Sequence, residues 1–340
     1  MTDVAEVSRV AAQFASREIV SVRAFGGGHI NETFLAETAA GDYVVQRINT
    51  AVFADPTQLV ENVATATAHL GGRFLPEPVP AGAGGWLVRA GDDVWRAWIR
   101  VARAESRSVS DPASAASAAK LLAGFHVGLA DLAPGALHET LPNFHDPGRR
   151  LARLREVVAA DPCGRVAGVE SEIGDVFAAA PLAVLAEELV AAVPRRIAHN
   201  DPKLDNFLFR DGEAICIVDL DTVMPSAWFW DVGDLLRTAS TYAVEDDPRT
   251  ERVVVDHDLY RAVLDGYRGV ISTSMDVDDA EAEALESAGA IVTFEQAVRF
   301  LTDWIAGDVY FRTSRPGHNL DRARAQLHLL ASMPGTVSTL

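Results

Sequence analysis

Apolar runs rich in β-forming residues open the chain: IVSVRAF (19–25), ETFLAET (32–38) and DYVVQRI (42–48), separated by Gly-rich or polar breaks. Three such runs in succession predict an antiparallel meander. PTQLVENVATATAHLGG (56–72) starts with Pro56 in a first-turn position, runs unbroken and stops at Gly71-Gly72, so it predicts a helix. GWLVRA and VWRAWIRV, joined across Gly91-Asp92-Asp93, predict a further hairpin. After about residue 104 the pattern changes. In 111–132, Leu121, Leu122, Phe125, Leu129 and Leu132 share one helical stripe, and further helices are expected near 147–160, 181–193, 256–270, 278–306 and 319–332. Only NFLFRDGEAICIVDL (206–220) interrupts them, with Asp211-Gly212 turning a hairpin between two apolar strands. The expected class is α+β. A β-rich unit over 1–103 precedes a mostly helical one over 104–340, joined through 100–112.

Composition narrows the function. With 340 residues, 49% of them apolar, the chain can bury a sizeable core. A net charge of −18 argues against a nucleic-acid partner, which needs clustered basic surface. Cys163 and Cys216 are the only cysteines, too few for a disulfide framework, and fit a reducing cytosol. The opening carries Asp3 and Glu6 rather than a basic-then-apolar signal. The most apolar stretch, 176–193, holds Pro181 and the Glu187-Glu188 pair, so no membrane span is expected.

Candidate chemistry concentrates in IAHNDPKLDNFLF (197–209), directly before the 206–220 hairpin, which ends in Asp219 and Asp221. A two-stranded hairpin returns the chain to its origin, so Asp201, Asn206 and Asp219 are expected to meet as an oxygen-lined cluster. Carboxylate and amide oxygens are hard ligands suited to Mg²⁺, which is held by one or two carboxylates and leaves positions for water and phosphate. Asp201 is then free to face a substrate hydroxyl. Lys203 is one of only two lysines, the other being Lys120, in a chain whose remaining cations are arginine. A lysine supplies the compact point charge that phosphate contacts use.

The spacing His199-x-Asp201-x-Lys203-x-x-Asn206, followed across a hairpin by Asp219, resembles the protein-kinase-like phosphotransferases. More narrowly, GGGHINETF, YVVQRIN, LVENV, LPNFHDP, HNDPKLDN, VDLDTVMP and WDVGDLLR are similar to the aminoglycoside phosphotransferase and choline kinase superfamily, and within it to the N-acetylhexosamine 1-kinases. These segments stretch from residue 26 to 237. The resemblance implies a protein-kinase-like fold, ATP with Mg²⁺, Asp201 as the base or hydroxyl-orienting group, Asn206 and Asp219 as metal ligands, and Lys203 on the γ-phosphate. It departs from protein kinases in having Asp221 where their metal-binding tripeptide has glycine, and in a G-G-G-H-I-N loop. The interval from Asp219 to WDVGD (230–234) is too short for a peptide-docking segment, so a small-molecule acceptor is expected and no protein substrate.

Gly27 and Gly28 are expected to cradle phosphate. Period two puts Tyr43, Val45 and Arg47 on one strand face, so Arg47 stands in for the usual phosphate-gripping lysine, with Gln46 opposite and Glu61 as its candidate ion-pair partner. His199 is expected to brace the loop, and Asp231 and Asp234 to bind its backbone amides. The resemblance offers Asp221, Arg299, Tyr310 and His29 as sugar contacts. A second-ligand role for Asp221, core packing for Arg299 and Tyr310, and loop bracing for His29 stay open. LPNFHDP receives no physical role. The acceptor implied is the anomeric hydroxyl of an N-acetylhexosamine. Rival readings are a kinase of the same fold for an aminoglycoside, choline or another sugar, a nucleotide-binding pseudokinase, and a metal-dependent phosphohydrolase.

Overall fold

The computed structural model describes residues 3–15, 18–26, 30–109, 111–275 and 277–334. Helix α1 (Val4–Ala11) precedes strands β1 (Ile19–Ala24), β2 (Glu32–Thr38) and β3 (Gly41–Arg47), then helix α2 (Pro56–His69) and the hairpin β4 (Val88–Ala90) and β5 (Asp93–Ile99). The strands form one antiparallel sheet in the order β1-β2-β3-β5-β4. Alternation divides its faces. Phe34, Val45 and Trp95 bury against Val7 and Val10 of α1, whereas Thr33, Gln46 and Arg96 lie on the opposite face, with Gln46 in register with both Thr33 and Arg96. The apolar pattern gave no warning of α1, a helix of only 8 residues.

The helical part follows the short strand β6 (Glu105–Ser106): α3 (Pro112–Gly128), α4 (Pro147–Ala160), α5 (Glu170–Ala178) and α6 (Pro181–Ala192). Strands β7 (Arg196–Ala198), β8 (Phe207–Arg210), β9 (Glu213–Ile217) and β10 (Met224–Ser226) come next, then α7 (Trp228–Ala239), α8 (His257–Ser274), α9 (Asp279–Ala306) and α10 (His318–Ser332). Asp-Pro steps start α2, α3 and α4. In each, the aspartate (Asp55, Asp111 or Asp146) accepts first-turn amides while the proline takes a position whose N–H has no helical partner. Helices α5 and α7 were not expected from the sequence. α7 is buried on nearly every side, so it shows no polar face to mark it as a surface helix.

One apolar core fills this part, with Phe125, Leu122, Phe294, Leu236 and Val263 all fully buried. Close approach of helices is built on glycine. At Gly233 of α7 an added Cβ would stand 2.4 Å from the Ala288 carbonyl oxygen of α9. The hairpin β8–β9 turns on Asp211 and Gly212, both at positive φ (52° and 87°), as a two-residue turn of this twist requires. Among the described residues no helix is long and apolar enough to cross a membrane.

Candidate active site

Strands β7 and β10 pair antiparallel, and the loop 199–206 leaves the end of β7 and closes in a 3₁₀ turn over Leu204–Asn206. Asp231 of α7 fixes its start. Its two carboxylate oxygens accept the amides of His199 (2.7 Å) and Asn200 (2.6 Å), and one also meets the fully buried His126 ring (2.8 Å). Burial opposes the charge on Asp231, but the hydrogen bonds from the His126 ring and the His199 amide outweigh it and hold the carboxyl below its ordinary pKa. His199 braces the loop from inside: its Nε2 faces the Val218 carbonyl (3.0 Å), and Nδ1 accepts the Asp201 amide (3.3 Å). Those two roles define a neutral imidazole protonated on Nε2. Asp234 does not bind loop amides as expected; it pairs with Arg237 at 2.8 Å.

The loop and hairpin bring the expected oxygen donors together. Asn206 Nδ2 donates to the Asp201 carbonyl (2.7 Å) and carboxylate (3.3 Å), leaving Oδ1 turned to other use. The Val218 amide bonds the Asn206 carbonyl at 2.8 Å, so the residue before Asp219 is tied to Asn206 itself. Asn200 and Asp219 both hold left-handed backbone, with φ of 69° and 64°. Strain of this kind persists only where surrounding bonds over-determine it.

Asp219 keeps contact with solvent at the junction, while crowding of its carboxyl by protein, foremost, and the facing charges on Asp221 and Asp201 push its pKa up to about 6. Asp201, foremost, with Glu245, Asp219 and Asp234 behind it, raises the Lys203 pKa against the effect of burial. Lys203 Nζ stands 3.8 Å from the Asp201 carboxylate. A concentration of carboxylates with one lysine lacks positive charge, and its hard oxygens fit a divalent cation. Among the described residues no three His, Cys, Asp or Glu side chains form a metal cage.

On the sheet side the structure corrects the expected cation. Arg47 lies on the α1 face of the sheet, where it pairs with Glu32 (3.0 Å) and Asp93 (3.1 Å). Glu61 instead meets His138 (3.2 Å). The Arg47–Glu61 pair therefore does not form. The face turned to the site presents Gln46 and Arg96, a residue the sequence reading passed over. Arg96 Nη2 bonds Gln46 Oε1 (2.9 Å) and pairs with Asp221. Arg96 also lies over the Trp98 ring at 4.4 Å. Asn31 Nδ2 donates to the other Asp221 oxygen (2.5 Å), and Asn31 Oδ1 accepts the Asn49 amide (2.9 Å). Asp221 thus spends both oxygens joining the sheet to the Asp219 turn. Next to Glu61, Asn62 does the same work, donating to the carbonyls of Val223 (3.0 Å) and His138 (2.8 Å). Gly27, Gly28 and His29 lie outside the described residues.

Arg299 stands on α9. The Arg299 guanidinium lies over the rings of Phe311 (5.3 Å), Phe144 (5.9 Å) and Tyr310 (5.9 Å). Tyr310 is exposed rather than packed in the core. Asp303 builds the turn that carries these rings by accepting the amides of Val309, Tyr310 and Phe311 at 2.8–2.9 Å. Each acid of 245–247 has a basic partner: Glu245 shares Arg237 with Asp234, Asp246 meets His318 and an Arg315 that also pairs with Asp321, and Asp247 pairs with Arg249.

Chains of the same fold carry phosphotransferase names. An aminoglycoside phosphotransferase from Alicyclobacillus acidocaldarius matches 98% of this chain over 96% of its own length, with 18% identity and a TM-score of 0.66. A microcompartment-associated aminopropanol kinase matches 99% over 98%, with 15% identity and a TM-score of 0.63. The GDP-bound aminoglycoside 2′-phosphotransferase-IIIa matches 96% over 99%, with 17% identity and a TM-score of 0.64. The family model itself covers residues 21–270, which takes in both the sheet and the loop-and-hairpin cluster, and the chain belongs to the APH phosphotransferase enzyme family.

Proposed function

We propose that this phosphotransferase moves the γ-phosphate of ATP to the anomeric hydroxyl of an N-acetylhexosamine, giving the sugar 1-phosphate. In this reading Asn206 Oδ1 and the Asp219 carboxylate hold Mg²⁺, which neutralises charge on the phosphates. Asp201 orients the acceptor hydroxyl and takes its proton late, since the transition state is loose and catalysis is mostly positioning. An anomeric hydroxyl is more acidic than an ordinary alcohol, so a carboxylate serves. Lys203, kept cationic by the same carboxylates, meets the transferring phosphoryl group. The phosphate grip expected of Arg47 is left out, because Glu32 and Asp93 hold that guanidinium on the α1 face.

The observation that carries the acceptor class is the charge along α9 and the segments beside it, where this reading seats the acceptor. The acids of 245–247 are each engaged by a basic partner and Asp303 is consumed by backbone amides. What remains is Arg299 among three aromatic rings. A cationic aminoglycoside or choline would meet like charge there, whereas a neutral sugar ring gains an aromatic face and a donor for its hydroxyls or acetamide. The test is ATP consumption with N-acetylglucosamine, N-acetylgalactosamine, glucosamine, choline and kanamycin offered in turn. The reading expects the two N-acetylhexosamines to be preferred; choline or kanamycin at equal or higher kcat/KM would replace it.

A further inference from the structure

The LPNFHDP segment delivers His145 beneath the catalytic loop. Its ring lies flat on Trp230 (4.6 Å, 8° between planes) and is almost wholly buried. Nδ1 is 2.8 Å from Glu295 Oε2, and Nε2 is 2.8 Å from the Asn200 carbonyl oxygen. Both partners only accept. A neutral imidazole has one N–H and serves one of them; serving both takes an imidazolium, whose charge the buried Glu295 matches. Glu295 is held in turn by the Asp146 amide at 2.9 Å.

The peptide so held is unusual. Asn200 has left-handed backbone, and its carbonyl belongs to the same peptide plane as the amide of Asp201. Asp231 fixes the Asn200 amide, and the Asn200 side chain is fixed by the Thr222 carbonyl at 2.8 Å. The carbonyl is held by His145.

We propose that His145, kept as an imidazolium by Glu295, is a positioning residue that fixes the Asn200–Asp201 peptide plane and through it the direction of the Asp201 carboxylate. The inference rests on the role given above to Asp201. The charged groups around the ring agree with it. Burial works to lower the His145 pKa, but Glu295 on α9, the Asn200 carbonyl and Asp234 on α7 overcome it and raise the pKa above the ordinary histidine value. Arg299, one turn along α9, and Arg150 on α4 act on Glu295, and Asp146 meets it only through its backbone amide. The group therefore keeps its proton to higher pH than an ordinary histidine and loses its second donor as the pH rises through its raised pKa.

Asn200–Asp201 is the only Asn–Asp step in the sequence, so ¹³C′-Asn and ¹⁵N-Asp labelling isolates this one peptide in an NMR spectrum. Between about pH 6 and about pH 8 its cross peak should keep the position of the doubly donating ring to higher pH in the unaltered protein than in Glu295→Gln, in keeping with a histidine pKa held up by Glu295. In Glu295→Gln the shift from that position should move to lower pH, because the charge that holds the second proton against burial is gone, and the peak should be displaced at all pH values in His145→Phe. Where Glu295→Gln is folded, kcat near pH 8 should fall at least about ten-fold and the loss should lessen as the pH is lowered, with the ATP KM unchanged within about two-fold. A cross peak identical in all three proteins overturns the inference, and so does a Glu295→Gln pH profile matching the unaltered protein. Absence of transfer to any sugar would count against the proposed function alone, and the cross peak would still decide this one.

Discussion

Arg96→Met isolates the link between sheet and site. The side chains of Arg96 and Asp221 are 4% and 5% exposed, and methionine keeps an apolar stem over Trp98 while removing the charge. Asp221 would retain only its bond from Asn31. Two unit charges at hydrogen-bonding distance interact by about 5 kcal/mol at an effective dielectric near 20, and removing one partner of a buried pair costs about 3–5 kcal/mol. An exposed pair would cost about 0–1 kcal/mol. At about 2–4 °C per kcal/mol for chains of 150–250 residues, the expected fall in Tm is on the order of 10 °C. The assay is thermal unfolding followed by tryptophan fluorescence, with Asp221→Leu and the double variant completing the cycle. The double variant should recover a large part of the loss, because no uncompensated charge stays buried. A fall in Tm no larger than an exposed pair would give, or a double variant no better than Arg96→Met, would refute the reasoning.

Other perturbations separate the remaining parts of the account. Asp219→Asn should raise the thermal stability of the nucleotide-free protein at pH 7 while weakening Mg²⁺–nucleotide binding. The folded pKa of Asp219, about 6, exceeds its ordinary 3.8, so its ionisation works against folding; that penalty is complete above about pH 6 and fades as the pH falls towards 3.8. Calorimetric titration with Mg²⁺–ATP and melts at pH 5 and 7 check both halves, and unchanged metal dependence would count against Asp219 as a ligand. Gly233→Ala should cost about 1–3 kcal/mol, since its Cβ would meet the Ala288 backbone at 2.4 Å. Gly174→Ala, in α5 with nothing within 4 Å, should add about 0.5–1 kcal/mol. Denaturation of the two side by side should show shifts of opposite sign. Asp231→Asn should leave the His199 and Asn200 amides with a weaker, neutral acceptor and lower the unfolding midpoint by several degrees; an unchanged midpoint would remove its role as the loop's anchor.

The strand and helix pattern was legible because each signal was local. Asp-Pro starts, the Asp211-Gly212 turn and the stripe on α3 all act within a few residues. So did the Asp201, Asn206 and Asp219 cluster, since a hairpin closes on itself whatever surrounds it. What escaped depends on distant packing. Alternation separated Gln46 from Arg47, but only the position of α1 tells which face meets the site. Helix α7 was hidden because WFWDVGDLLRTA is buried on nearly all sides and interrupted by a glycine that serves contact with α9. His145 needed Glu295, 150 residues further on, before its motif acquired a physical purpose.

Asp201→Asn tests the central claim most directly. With ATP, Mg²⁺ and an accepted sugar, kcat should fall by about 10²–10⁴-fold, the scale of a lost general base, while ATP affinity measured calorimetrically stays within about three-fold because the Lys203, Asn206 and Asp219 side chains are untouched. Turnover within ten-fold of the unaltered protein would contradict the account.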